Sequence, residues 1–250
     1  MKTIEYGTKN KDIILLLHGG GLSWWNYRET AELLQYKYHI ILPILDGHSE
    51  SDKDFTSIQD NALEIIKYID TNYNGSVLLI GGLSLGAQIL LEILSLRNDI
   101  CQIAIIESAL IFPMKLTYFL LKPMLNISYG LIKQNWFSKL QFYSLKIKKE
   151  LYDEYYQDTC NITKQNMISF LQANSCYSVN EKIKKTQTKI FIFVGEKETR
   201  KMILSAQKLH KMLPNSVLEI KNKMYHGEYS INHALDYTNQ ILNILDNYNI

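Results

Sequence analysis

Six short runs of almost uninterrupted apolar residues constrain what this chain can fold into: "DIILLL" (12–17), "YHIILPI" (38–44), "SVLLIGG" (76–82), "QIAIIES" (102–108), "TKIFIFVG" (188–195) and "SVLEIK" (216–221). Each has the length of a strand. Most are apolar at consecutive rather than alternate positions, the pattern of strands covered on both faces. Helical spacing fills the intervals, at roughly 24–36, 56–72, 85–96, 200–213 and 230–246. Strand alternating with helix predicts an α/β fold, a mostly parallel sheet flanked by helices on both sides. At 250 residues the chain suits one large domain, or a core with an insertion.

One interval breaks the alternation. Residues 109–186 contain no convincing buried strand but several helical stretches rich in Tyr, Phe, Leu and Met, with breaks at Pro113 and Pro123. Structureless loops of that length are rare, so the segment reads as an inserted helical cap on a core made of 1–108 and 187–250. Tyr118, Phe119, Tyr129, Trp136, Phe137, Phe142 and Tyr143 are expected to help wall a pocket beneath it, beyond packing the cap itself.

Charge narrows the partners. With 27 basic and 25 acidic residues the net charge is +2, which gives no electrostatic footprint for nucleic acid. The lysines at 146, 148, 149 and at 182, 184, 185 alternate with apolar residues as a solvated helix face would. The first residues, "MKTIEYGTKNKD", lack a signal-peptide core, and "IILLL" is too short to span a bilayer. Cys101, Cys160 and Cys176 form an odd set without metal-ligand spacing, suiting free thiols. The expectation is a cytoplasmic protein with no membrane span, no metal and no cofactor.

The chemistry concentrates in "LLIGGLSLGAQIL" (78–90), which sets Ser84 between Gly82 and Gly86, after an apolar run and before a helical one. Strand, G-x-S-x-G, helix is the context of a nucleophile elbow. A serine held on so sharp a turn needs minimal side chains two positions away on either side. The following helix start favours negative charge developing nearby. A phosphate loop is the competing reading, but no Lys-Ser/Thr pair follows and G-x-G-x-x-G is absent.

A nucleophilic serine needs a base and an oxyanion site. "LLLHGGGLSWWNY" (15–27) can supply the latter, with the amide of Gly20 or Gly21 pairing with that of Leu85. His226, beside Gly227 in a loop after the last strand, is the expected base, with His233 in reserve. His18 and His48 read as loop braces, and His39 and His210 as structural residues. Trp24 and Trp25 open the next helix, where one could line the pocket. A carboxylate must orient the base, and Glu196, Glu198 and Glu107 all lie at or beyond strand ends.

Taken together, "HGGG", "DGHSES" (a shortened form of D-x-x-G-H-x-x-S), "GLSLG", "GEKE" and "YHGE" make the chain resemble an α/β-hydrolase fold protein with a helical cap. The resemblance spans nearly the whole sequence. It implies the chain order nucleophile, acid, histidine, fitted by Ser84, Glu198 and His226, with Glu107 the alternative acid. Glu198 stands where the family usually carries aspartate, and only "KTIEY" is available for the leading strands. The implied activity is serine hydrolysis of a small-molecule ester with an apolar part. Thioester or carbon–carbon bond hydrolysis is the alternative with the same triad, and a non-catalytic ligand-binding protein the alternative outside enzymes.

Overall fold

The computed structural model describes residues 1–248. Seven strands form one sheet in the order β1-β3-β2-β4-β5-β6-β7. They are β1 (Thr3–Tyr6), β2 (Ile13–Leu17), β3 (His39–Pro43), β4 (Val77–Leu83), β5 (Cys101–Glu107), β6 (Lys189–Gly195) and β7 (Val217–Lys221). All neighbours pair in parallel except β1, which runs antiparallel to β3 along the edge. The six apolar runs therefore become six parallel strands. "KTIEY" supplies a single leading strand.

Successive side chains of a strand point to opposite faces, and the core divides accordingly. Leu15 and Leu17 belong to one buried cluster, Ile14 and Leu16 to another. Helices α1 (Arg28–Leu34) and α10 (Ala234–Asn247) bury Leu34 and Ile241 in the second cluster. Helices α2 (Ile58–Asn72), α3 (Leu85–Leu96) and α8 (Arg200–Met212) bury Ile65, Leu90 and Leu209 in the first. Apolar almost all round, α3 is buried along nearly its whole length, as such a helix must be in water.

Between β5 and β6 the chain forms α4 (Lys115–Ile132), α5 (Asn135–Ser144), α6 (Tyr152–Asn161) and α7 (Lys164–Cys176), with short 3-10 turns and no strand. Gln88 of α3 ties this segment down. Its Nε2 donates to the carbonyls of Leu110 and Asn174, and its Oε1 accepts from Asn174 Nδ2. Two expected helices differ from the structure. Residues 24–36 start as a 3-10 turn (Trp24–Tyr27) before α1, and 230–246 divides at His233 into the short α9 (Glu228–Asn232) and α10. In the first case Trp25, Asn26 and Tyr27 are all buried, which leaves no solvent side for an amphipathic helix.

Candidate active site

Four of the strands end where the chemistry-bearing residues begin, at the carboxyl edge that open parallel sheets use for ligands. Leu83 ends β4, and Ser84 follows with φ 53° and ψ −109°, a conformation L-residues avoid. Strain of this kind costs about 1–3 kcal/mol and persists only where the surroundings enforce it. Here Ser84 N–H donates to the carbonyl of Glu107 at 2.9 Å, and the Ser84 carbonyl accepts from Gln88 N at 3.0 Å. The flanking glycines have a steric reason. A Cβ on Gly82 would lie 2.5 Å from the Gly86 carbonyl oxygen, and one on Gly86 would lie 2.2 Å from that of Leu17.

The glycine loop after β2 runs beside the elbow: a Cβ on Gly20 would sit 3.5 Å from Leu85 Cβ. Leu85 is the first residue of α3, so its amide has no acceptor within the helix. Gly20 N–H has no protein acceptor among the described residues. Gly21, the other candidate, is engaged elsewhere. Its N–H donates to His48 Nε2 at 3.1 Å, its φ is +76°, and it does not line the cavity beside Ser84. Gly20, by contrast, lines that cavity beside Ser84.

His18 and His48 brace this loop. His18 Nε2 accepts from Leu45 N–H at 3.1 Å, so its Nδ1 carries the proton and donates to the Gly19 carbonyl at 2.9 Å. Burial, with His48 beside it, holds His18 well below the usual histidine range. His48 donates from Nδ1 to the Asp46 carbonyl, stacks on Phe170 of α7 at 4.5 Å, and is pushed down by burial to about 4. His39 bonds Glu5 on the edge strand, and His210 bonds Ser216. His233 lies at the α9–α10 junction, 4.0 Å from Glu228.

His226 meets Glu198. Its Nδ1 lies 2.7 Å from Glu198 Oε2, while Glu198 Oε1 accepts from Ser108 Oγ at 2.7 Å and from Gly195 N–H at 2.8 Å. Burial alone would raise this carboxyl. The hydrogen bond and charge of His226, with Ser108 and Gly195, more than offset it and hold Glu198 below the usual carboxylate value. The two loops approach because β6 ends on a glycine: a Cβ at Gly195 would lie 2.3 Å from the Met224 carbonyl, and Lys197 N–H donates to that same oxygen. Gly227 then adopts φ +69°, letting α9 start directly after the histidine.

The competing acids are placed differently. Glu196 is exposed and accepts from the Lys223 amide. Glu107 is 2% exposed beneath the site, with Oε1 accepting weakly from Ser230 N–H at 3.3 Å. Burial raises its carboxyl to about 7. Ser108 was not a sequence candidate. It takes φ +56° directly after β5, donates its amide to Phe193 and its hydroxyl to Glu198, and only the fold brings those partners within reach.

Ser84, His226, Glu198 and Gly20 line one cavity of about 280 Å³. Among the described residues no hydrogen bond joins Ser84 to His226; such bonds often tighten only once substrate is bound. The family model described as serine aminopeptidase, S33, matches residues 8–229. The chain belongs to this S33 hydrolase family. No curated protein sequence matches it. Among solved structures, MenH from S. aureus superposes with a TM-score of 0.79 at 16% identity, covering 100% of this chain and 98% of that one. A thermophilic esterase from Thermogutta terrifontis gives 0.77 at 14% identity, covering 98% and 93%. The enol-lactonase from Burkholderia xenovorans LB400 gives 0.80 at 11%, covering 98% and 96%. These superpositions show a shared α/β-hydrolase fold, and at such low identities they show the fold alone.

In this S33-family chain the cavity walls are mainly aliphatic: Leu22, Leu83, Leu145, Ile147 and Ile231, with Tyr225 and Lys197 at the polar side. From 109–186 only Ser144, Leu145 and Ile147 contribute, so the expected aromatic walls are corrected. Phe142 instead packs on Tyr152 and Tyr155, while Phe119, Trp136 and Tyr143 are exposed. Trp25 also turns away, its Nε1 donating to buried Asp158 of α6 at 2.6 Å. Among the described residues no cluster of three or more His, Cys, Asp or Glu could hold a metal ion, and no helix is long and apolar enough to cross a membrane.

Proposed function

We propose that this hydrolase is a serine carboxylesterase acting on a small ester with an apolar part. The observation that carries the reading is a strained Ser84 facing the same cavity as a His226 whose Nδ1 is held 2.7 Å from Glu198. Ser84 Oγ attacks the ester carbonyl as His226 Nε2 takes its proton, and the amides of Gly20 and Leu85 stabilise the oxyanion. His226 then protonates the departing alcohol, leaving an acyl group on Ser84, which water releases by the same steps in reverse roles. Glu198 fixes the imidazole tautomer and balances the cation that forms. No step calls for a metal or organic cofactor. The proposed setting is cytoplasmic, with 109–186 forming a cap unit over the core of 1–108 and 187–250.

Aminopeptidase chemistry, which the family description raises, fits the cavity less well. Recognising a free amino terminus calls for a carboxylate, and the only one lining this cavity among the described residues is Glu198, already committed to His226. An aliphatic lining suits an ester better. Thioesters and diketones offer the same electrophilic carbonyl and remain the alternative substrates for this triad. A fluorophosphonate probe tests the reading: labelling at Ser84 together with turnover of acyl esters supports it. An unlabelled Ser84 assigns the cavity to ligand binding without catalysis.

A further inference from the structure

Helix α4 has two apolar faces. Leu121, Leu125 and Ile132 point inward and are buried. On the opposite side Leu116, Phe119 and Ile127 are 73%, 70% and 85% exposed, accompanied by Leu120 and Met124. At 3.6 residues per turn Lys115, Lys122 and Lys133 fall together on one flank between these faces. Helix α5 continues the theme, burying Phe142 while Trp136, Leu140 and Tyr143 lie in solvent. An isolated exposed leucine is ordinary, but an exposed apolar stripe along two consecutive helices marks an interaction surface.

Charge identifies what covers it. From Ala109 to Lys149 the chain carries seven lysines and no Asp, Glu or Arg, whereas the remainder carries 20 basic against 25 acidic side chains. Only Lys148 of the seven has a carboxylate partner among the described residues, Glu29. A second copy of this chain is disfavoured as the occupant, because apposing two such faces would bring lysine against lysine with no carboxylate between them. We propose that the α4–α5 face docks on an anionic lipid surface: the apolar stripe enters the headgroup boundary and the lysines reach lipid phosphates. This is peripheral docking and requires no membrane span. The face is continuous with the catalytic cavity, since Leu145, just past α5, is both 40% exposed and part of the cavity wall. A docked molecule would therefore keep its cavity close to the lipid boundary.

Vesicle sedimentation of the full chain tests the proposal, using phosphatidylcholine vesicles with and without phosphatidylglycerol. Binding should require phosphatidylglycerol and fall by about tenfold or more toward 1 M salt, where the screening length shrinks to about 3 Å. A Leu120→Glu/Ile127→Glu variant, with circular dichroism unchanged, should lose binding. Trp136 emission should shift to the blue on the vesicles, a shift absent from Trp136→Phe. Ser84→Ala should bind like the parent, so the docking surface is read independently of any catalytic assignment. Absence of binding at low salt, equal binding to both vesicle types, or a solution dimer dissociated by the Glu variants would each overturn the proposal.

Discussion

Ser84 and the two buried glutamates carry the sharpest residue-level expectations. The Ser84 hydroxyl makes no hydrogen bond among the described residues. Ser84→Ala should therefore retain the melting temperature while losing about 10⁴-fold or more in kcat, the scale on which triad serines fail. Glu198→Gln should cost up to about 10⁴-fold in kcat with KM little changed, because a neutral amide neither fixes the tautomer nor balances the imidazolium. Glu107→Gln separates the two acids. Its carboxyl is raised by burial from 4.5 to about 7, so the neutral form is favoured in the folded state. The stabilisation this represents is complete below the unfolded value of 4.5 and is lost as pH rises through about 7. Replacement by the neutral amide should leave stability near the parent's at pH about 4 and exceed it near pH 8, by at most about 3 kcal/mol. Thermal denaturation at both pH values reads this. A Glu107→Gln enzyme as crippled as Glu198→Gln would transfer the orienting role to Glu107.

Among the elements, the elbow has the least room for change. A methyl at position 86 would need to occupy space 2.2 Å from the Leu17 carbonyl oxygen and 2.6 Å from that of His18, both backbone atoms of the neighbouring strand and loop. Gly86→Ala must therefore separate α3 from the end of β2. The expected loss is about 3 kcal/mol or more of unfolding free energy in urea titration, with activity falling alongside it. The junction between the 3-10 turn and α6 is a milder case. Trp25 Nε1–H bonds to Asp158, both side chains being buried, and Asp158→Ala would leave an indole donor without its acceptor. A loss of about 1–3 kcal/mol is expected, with KM affected more than kcat, because this bond joins α6 to the 3-10 turn after β2 and touches no reacting atom. A selective loss of kcat would implicate Trp25 in the chemistry itself.

For the molecule as a whole, cavity size and lining set the substrate range. About 280 Å³ lies just below the roughly 300–1,000 Å³ typical of ligand pockets, and the walls are mainly aliphatic. In a series of p-nitrophenyl esters, kcat/KM should peak at short to medium acyl chains and fall for long ones. Detergent or lipid that engages α4 and α5 provides a second arm. If α4 and α5 move on docking, the optimum shifts toward longer chains; if they stay fixed, it remains in place.

The strands and the glycine-flanked turn at Ser84 were legible because each is a local pattern, whereas the pairing of His226 with Glu198 followed only from the chain order that the family resemblance implies. Consecutive apolar residues specify a strand covered on both faces, and Gly82 and Gly86 specify a turn that no larger residue permits. The choice among Glu107, Glu196 and Glu198 was not local: all three stand at or beyond strand ends, and only the packing of Gly195 against Met224 decides which one meets His226. The same holds for Gly21, whose amide a histidine 27 residues away had already engaged, and for Ser108, whose two partners come from β6 and the loop beyond it. The aromatic residues of 109–186 mark the limit most plainly. Composition identified them as apolar mass, but an apolar side chain has no directional partner, so sequence could not say whether it would face a cavity, a core or solvent. Tertiary structure sent Phe142 inward and left Phe119 and Trp136 on the surface: the inward face of α4 carries Leu121, Leu125 and Ile132, and that of α5 carries Ser138 and Phe142.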